Sequence, residues 1–241
     1  DFLHEWWRAR ADAPRETALV ARRWSPRAHE LRSLLARNGI PHSFHDAESP
    51  EAADLLDGLD LPAGGRPVML TVDGHVLVDP TNAEVARALG VTTALDEDRD
   101  FDLVVVGAGP AGLSAGVYGA SEGLRTLVVE GESIGGQAGS SARIRNYLGF
   151  PRGISGSGLA QQAYQQAWTF GTRFLFMRRA TALLEEGDGY GVSISDGSEA
   201  RARAVVLATG AAYRRIGIPS LERLTGAGVF YGSSAGEAPG L

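Results

Sequence analysis

Apolar and polar positions change period several times along the chain, and each change marks an element. Residues 17–22 form a short apolar run that leads through Ser25-Pro26 into a stretch where Leu31, Leu34 and Leu35 share one helical face up to Asn38-Gly39. That pattern predicts a strand followed by a helix over Pro26–Arg37. Ile40–His45 is a second strand, and Ser49 caps a helix that opens on Pro50, where a missing amide costs nothing. The runs PVMLTV and HVLVD flank Asp73-Gly74 and predict a hairpin with a two-residue loop. Thr81 and Glu84 have the spacing of a capping box for one more helix. Residues 17–90 therefore form one α/β domain. Residues 1–16 are assigned to a short helix and linker whose Trp6 and Trp7 pack against that domain, and the acidic, aperiodic residues 91–100 to a second linker.

The pattern then changes. A continuous apolar strand at Asp102–Val106 runs into glycines and a helix, and a second apolar strand, Thr126–Val129, ends in Glu130. A helix from about Ser157 to Thr169 is followed by the three strands of a β-meander: Ala180–Glu186, Tyr190–Ser195 and Ala202–Leu207, the last two joined at Asp196-Gly197. Residues 101–227 are a second α/β domain containing a β-meander, and 228–241 a crossover toward a further domain. The start at Asp1 and the end at Gly-Glu-Ala-Pro-Gly-Leu read as a segment of a longer protein, and in that segment alone Ala204–Leu207 is expected to border open surface.

The glycines carry the chemistry. Gly107-Ala108-Gly109-Pro110-Ala111-Gly112 follows a strand and opens a helix. In that pattern the first glycine makes a tight turn, the second lets backbone approach a pyrophosphate, and the third lets helix and strand pack closely. The helix start at Pro110 and Ala111 offers phosphates a partial positive charge and, after the proline, which has no N–H of its own, backbone amides. Glu130 stands where a carboxylate accepts from ribose hydroxyls and repels a 2′-phosphate.

Composition narrows the chemistry. The chain of 241 residues has no cysteine, which excludes disulfide staples, thiolate metal sites and cysteine nucleophiles. A net charge of −6 gives no reason to expect nucleic acid or an anionic membrane as partner. The uncharged stretch Leu103–Ala120 is long enough by count to span a bilayer, but its glycines and proline fit a nucleotide-binding loop, so no membrane span and a cytoplasmic location are expected. His42 and His45 fall on opposite faces of a strand, and no metal site is assigned.

Two resemblances follow. Residues 17–90, with Ser25-Pro26-Arg27-Ala28 at the first strand–helix junction, resemble the glutaredoxin/thioredoxin fold. Those families carry Cys-Pro-x-Cys at that junction and a cis-proline where this chain has Pro67. Serine and alanine cannot perform the thiolate chemistry of such a site. From residue 101 onward the chain resembles the thioredoxin-reductase-like flavoproteins, on the motifs Gly135-Gly136-Gln137, Asn146-Tyr147-Leu148-Gly149-Phe150 and Ala208-Thr209-Gly210. The resemblance implies FAD. It places Gly136, Gln137 and Asn146 along the flavin and its ribityl chain, backbone near Ala180 at the adenine, and Thr209 and Gly210 against the flavin. It also places the family's redox Cys-x-x-Cys at Gly232-Ser233-Ser234-Ala235, so a second dithiol is missing. A thioredoxin-like module in front resembles the larger fused reductases, which carry a response-regulator or cyclic-nucleotide domain.

These readings imply an FAD-dependent oxidoreductase fed by NAD(P)H through a domain outside this segment. Its electrons would pass to an acceptor other than a resident dithiol. A homodimer is the arrangement expected of the full-length protein, and the segment alone is expected to be inactive. The alternative is a non-catalytic FAD-binding module that senses redox state or recruits partners. A purely NAD-binding protein is disfavoured by Gly-Gly-Gln and Ala-Thr-Gly.

Overall fold

The computed structural model describes residues 16–38, 40–59, 61, 65–211, 214–225, 228, 229 and 231. The chain divides into two compact units between Leu89 and Gly90, with Pro219–Val229 grouped with the first. Trp6, Trp7, Gly39 and the positions Gly232 and Ala235 lie outside the described residues.

The first unit is a four-stranded sheet in the order β2-β1-β3-β4. β1 (Thr17–Ala21) is buried along its whole length. It pairs in parallel with β2 (His42–Asp46) and antiparallel with β3 (Val68–Leu70), which pairs antiparallel with β4 (Val76–Val78). Helix Pro26–Arg37 buries Ala28, Leu31, Leu34 and Leu35, the face set by the leucine spacing. Shorter helices at Pro50–Leu56 and Asn82–Ala88 start at Ser49 and Thr81, the latter with both halves of its capping box formed.

At the junction of β1 and the first helix, every residue of Ser25–Ala28 has a structural task. Ser25 is the N-cap, its hydroxyl oxygen accepting from the Ala28 amide at 3.3 Å, and Pro26 opens the first turn. Arg27 reaches Asn82 Oδ1 at 2.9 Å and the Pro80 carbonyl. Ala28 is 1% exposed and belongs to the core. Replacing a serine cap by alanine leaves a first-turn amide unpaired. Ser25→Ala is therefore expected to destabilise the first unit by about 1 kcal/mol, and Ser25→Asp to preserve it. Urea unfolding of the two variants checks this.

Three expectations for this unit change. β2 begins two residues later than the apolar run, at His42. No peptide bond among the described residues is cis, so Pro67 follows a trans bond, the lower-energy isomer for proline; its carbonyl accepts from the Asp79 amide at 2.7 Å. The hairpin loop holds three residues, Val72-Asp73-Gly74, because Leu70 pairs with Val76 and the Thr71 amide donates to the His75 carbonyl at 3.0 Å. Gly74, at φ +88°, takes the left-handed position that three-residue hairpins require. Thr71 Oγ1 selects this loop by accepting from the His75 amide at 2.9 Å.

The second unit is a six-stranded sheet in the order β7-β6-β5-β10-β9-β8. β5 (Asp100–Val106), β6 (Thr126–Glu130), β7 (Arg173–Phe176) and β10 (Glu199–Leu207) are parallel neighbours. β8 (Ala180–Glu186) and β9 (Gly189–Ile194) complete an antiparallel meander with the first part of β10. β5 and β6 are covered on both faces, which is why Leu103–Val106 and Thr126–Val129 read as unbroken apolar runs, whereas β10 is largely exposed. Val104, Leu127, Val129 and Leu175 pack on one side, and Val105, Val128 and Phe174 on the other with Leu113 of helix Pro110–Ser121. This is an α/β fold of Rossmann-like character. Helix Gly156–Thr169 starts at its Ser155 cap, and its glutamines face solvent. Val206 and Leu207 at the end of β10 are 37% and 64% exposed.

Two features of this unit were not anticipated. β7 is a full parallel strand. Residues 91–99 are not a free tether: the Thr92 carbonyl accepts from the Phe176 amide at 3.0 Å, Leu95 packs on the core, and Asp96 pairs with Arg173 at 2.6 Å.

Arg178 ties this segment to the meander, its Nε donating to the Thr93 carbonyl at 2.7 Å and pairing with Asp196 at 3.2 Å. Burial pushes the Asp196 carboxyl up. Hydrogen bonds from the Ser198 hydroxyl and amide and the Arg178 charge outweigh it, holding the group below the usual carboxylate range. A carboxylate depressed in the folded state contributes stability that is complete above its unfolded value, about 3.9, and lost as pH falls through the folded one. Asp196→Asn should therefore lower the melting temperature at neutral pH, with the gap to the parent closing below about pH 4.

Candidate functional site

The site is built at the C-terminal end of β5. The strand stops where the Gly107 amide donates to the Val129 carbonyl at 2.8 Å. Gly107 has φ +105°, a left-handed conformation, and a Cβ there would lie 2.4 Å from the Ala208 carbonyl oxygen. A Cβ on Gly112 would lie 1.8 Å from the Gly107 carbonyl oxygen, so the third glycine is required by the loop's own backbone. Gly109 is different. It is the N-cap of helix Pro110–Ser121 with no side-chain cap, and nothing lies within 4 Å of where its Cβ would be. The first-turn amides of this helix, at Ala111 and Gly112, have no intrahelical partner. They open onto space that glycine keeps free, a suitable place for an anion.

Two other glycine-containing segments converge on this loop. The Gly135 amide donates to the Ala108 carbonyl at 2.8 Å, and a Cβ on Gly136 would lie 3.3 Å from Gly109 Cα. Gly135 and Gly136 have φ of +91° and +53° and lead into the 3-10 turn Gly136–Ser140. On the other side, Ala208 donates to the Val106 carbonyl at 2.9 Å and brings Thr209 against Gly107. The side-chain amide of Gln137 donates to the Ala211 carbonyl, joining the second and third segments beside Gly210. Gln137, Thr209 and Gly210 are exposed, and Gly210 has φ +68°.

Glu130, at the end of β6, faces the same loop. One carboxylate oxygen accepts from the Ala108 amide at 2.7 Å; the other accepts from the Glu132 amide at 2.7 Å and the Ser133 amide at 3.3 Å. A carboxylate has about four acceptor sites, so one is left on the oxygen that faces Ala108. The carboxylate thus holds both the glycine loop and the turn after β6 before any ligand arrives. That double duty goes beyond the ribose contact the sequence suggested.

Ala180 begins β8 and is joined to this region through the Arg178 amide, which donates to the Glu130 carbonyl at 3.2 Å. Asn146 is exposed on a loop closed by two hydrogen bonds between Ile144 and Ile154, at 2.7 and 2.9 Å. Its neighbour Tyr147 anchors that loop. Ser114 Oγ donates to the Pro110 carbonyl at 2.8 Å, so the Tyr147 hydroxyl, 3.2 Å away, is the donor to Ser114. The Tyr147 ring closes an apolar crevice with Pro110, Leu113, Leu159 and Ala160. Tyr147 was named in the sequence only as the aromatic of its motif and Ser114 not at all, although a hydroxyl one helical turn after Pro110 was a readable signal. Tyr147→Phe removes one such bond and is expected to cost about 0.5–1.5 kcal/mol in unfolding free energy. Ser25 and Ala28 belong to the first unit, and no helix among the described residues is long and apolar enough to cross a membrane.

Residues 101–238 match the family model described as pyridine nucleotide-disulphide oxidoreductase. The thioredoxin reductase of Bacillus subtilis (strain 168) is 35% identical over 137 residues, 57% of this chain and 42% of that protein. The thioredoxin reductase of Mycolicibacterium smegmatis is 41% identical over 128 residues, 53% of this chain and 40% of its own length. The solved thioredoxin reductase from Gloeobacter violaceus aligns with a TM-score of 0.45 at 35% identity, covering 50% of this chain and 37% of that one. The chain spans about two fifths of the length of the curated relatives it matches, at 42% and 40%. On the glycine loop, its acidic strand end and a match covering more than half its residues, the chain belongs to the pyridine nucleotide-disulphide oxidoreductase family, with a thioredoxin-reductase-like, Rossmann-type nucleotide-binding domain.

Proposed function

We propose that this chain supplies the FAD-binding part of an NAD(P)H-dependent oxidoreductase whose electrons leave to an acceptor other than a resident dithiol. The observation that carries this reading is the convergence of Gly107–Gly112, Gly135–Gln137 and Ala208–Gly210 on one helix start, with Glu130 beside it. The residues fit a dinucleotide. Gly109 leaves a cradle open, Ala111 and Gly112 would take the pyrophosphate, and Glu130 keeps one acceptor site for a ribose hydroxyl. Gln137, Asn146, Thr209 and Gly210 would border the flavin, and backbone near Ala180 the adenine. Bound FAD would supply hydride and electron transfer, while the chain binds and orients it.

The first unit is read as a thioredoxin-like module. Its support is the order β2-β1-β3-β4 with one parallel and two antiparallel pairings, and a helix that starts directly after the central strand. In this reading its redox positions have become a helix cap, Ser25, and a core residue, Ala28, so the scaffold is kept for docking or packing. Gly232 and Ala235 stand where the second dithiol would be, and a chain without cysteine cannot hold a thiol at either place. NAD(P)H is expected to act through protein outside this chain, and a homodimer is the assembly expected of the complete protein.

The test uses the full gene product, purified and supplied with NADH or NADPH. Nicotinamide oxidation with a quinone-like acceptor, and none with thioredoxin or a disulfide dye, is the expected result. Sustained thiol-linked turnover by the purified protein alone would overturn the dithiol-free reading. Bound FAD with no nicotinamide oxidation by any acceptor would favour the non-catalytic sensing module.

A further inference from the structure

The chain enters β8 through Arg178 and Arg179, directly beside the end of β6. The Arg178 amide donates to the Glu130 carbonyl at 3.2 Å. The backbone of Arg179 is fixed from β9: its amide donates to Ser195 Oγ at 3.1 Å, and its carbonyl accepts from the Ser195 amide at 2.9 Å. Its side chain runs across Gly131, where a Cβ would lie only 2.9 Å from Arg179 Cγ. The guanidinium then reaches the Glu132 carboxylate at 3.2 Å. Glu132 donates its own amide to the Glu130 carboxylate at 2.7 Å, so Arg179 and Glu130 belong to one connected cluster.

Fold stability does not account for this arrangement. The Arg179 and Glu132 side chains are 71% and 53% exposed, and an exposed ion pair contributes little. What the geometry does provide is a planar cation, steered by a carboxylate, beside Glu130, the acid that in the reading above would take a ribose hydroxyl. A guanidinium stacks well on flat π systems, which a lysine ammonium does not.

We infer that Arg179 forms the adenosine end of the dinucleotide site, its guanidinium lying against the adenine, with Glu132 setting its direction and Gly131 leaving room for its stem. The inference rests on the FAD reading above. Gly131 adopts no left-handed φ, so a Cβ there strains no backbone and acts only by displacing Arg179.

The test titrates the chain and its variants with FAD and with FMN, which lacks the adenosine, following flavin fluorescence. Arg179→Ala should raise the Kd for FAD about five- to tenfold and leave that for FMN unchanged. Arg179→Lys should recover little, and Gly131→Ala should act in the same direction as Arg179→Ala while the positive charge remains. Melting curves confirm that each variant is folded; Arg179→Ala removes only an exposed side chain and keeps the test available if Gly131→Ala does not fold. An FAD affinity within twofold of the parent in Arg179→Ala, with Glu130→Ala losing FAD, overturns the role of Arg179 and leaves the FAD reading standing. A parent chain that binds FAD no better than FMN, or a Glu130→Ala variant that binds FAD unchanged, overturns both.

Discussion

Gly112→Ala is expected to unfold the second unit under conditions in which the parent is stable, a loss of about 3 kcal/mol or more. The added methyl would sit 1.8 Å from the Gly107 carbonyl oxygen and 3.4 Å from Ala208 Cβ. Most overpacking is relieved by a side chain changing rotamer, but here the obstacle is backbone. That backbone is itself fixed: Gly107 donates to Val129, and the Ala208 carbonyl oxygen lies 2.4 Å from where a Gly107 Cβ would be. Gly109→Ala is the matched control. Its Cβ meets nothing within 4 Å, and its φ of −71° suits any residue. That variant should keep its stability within about 1 kcal/mol and lose cofactor affinity instead, because the methyl enters the space through which a phosphate approaches. Urea unfolding followed by circular dichroism separates the two. Equal stability losses would mean that the third glycine has no special place in the loop.

The second large effect is expected at Glu130. Its carboxylate accepts from three backbone amides, those of Ala108, Glu132 and Ser133. Glu130→Gln keeps the shape but turns one acceptor oxygen into an NH2 group, so at least one amide faces a donor. Hydrogen bonds to a charged group contribute about 1.5–3 kcal/mol each, and a buried donor left unpaired costs a similar amount. The variant should therefore lose about 2 kcal/mol or more of stability in the second unit. Its FAD affinity should fall ten- to a hundredfold, at about 1.4 kcal/mol per tenfold. A side chain that served only the ribose would lower affinity and leave the unfolding midpoint where it is. Calorimetric melting without ligand, beside FAD titration, distinguishes the two outcomes.

The parts of the site that were legible in the sequence are those where chemistry leaves one residue type. Gly107 and Gly112 show as glycines because any Cβ would collide with backbone, and Glu130 shows because it ends an apolar strand at the expected distance. The leucine spacing of Pro26–Arg37 and the caps Ser49 and Thr81 were readable for the same local reason.

What escaped depends on partners distant in sequence. β7 is four residues long and begins on an arginine, and only pairing with β6 makes it a strand. Residues 91–99 have no period because they are fixed by separate contacts to Phe176, Arg178 and Arg173 rather than by a repeating face. Asp73-Gly74 gave the right turn residues and the wrong loop length, since the choice was made by the Thr71 hydroxyl. Arg179 carries no motif. Its place follows from Gly131, which lies far from it in sequence.

The most direct test of the central claim is a crystal structure of the chain grown or soaked with FAD. The account predicts the pyrophosphate at the amides of Ala111 and Gly112, a ribose hydroxyl on Glu130, and the flavin extending toward Gly136, Gln137 and Thr209. FAD bound elsewhere, or absent while a nicotinamide dinucleotide occupies the glycine loop, would contradict it.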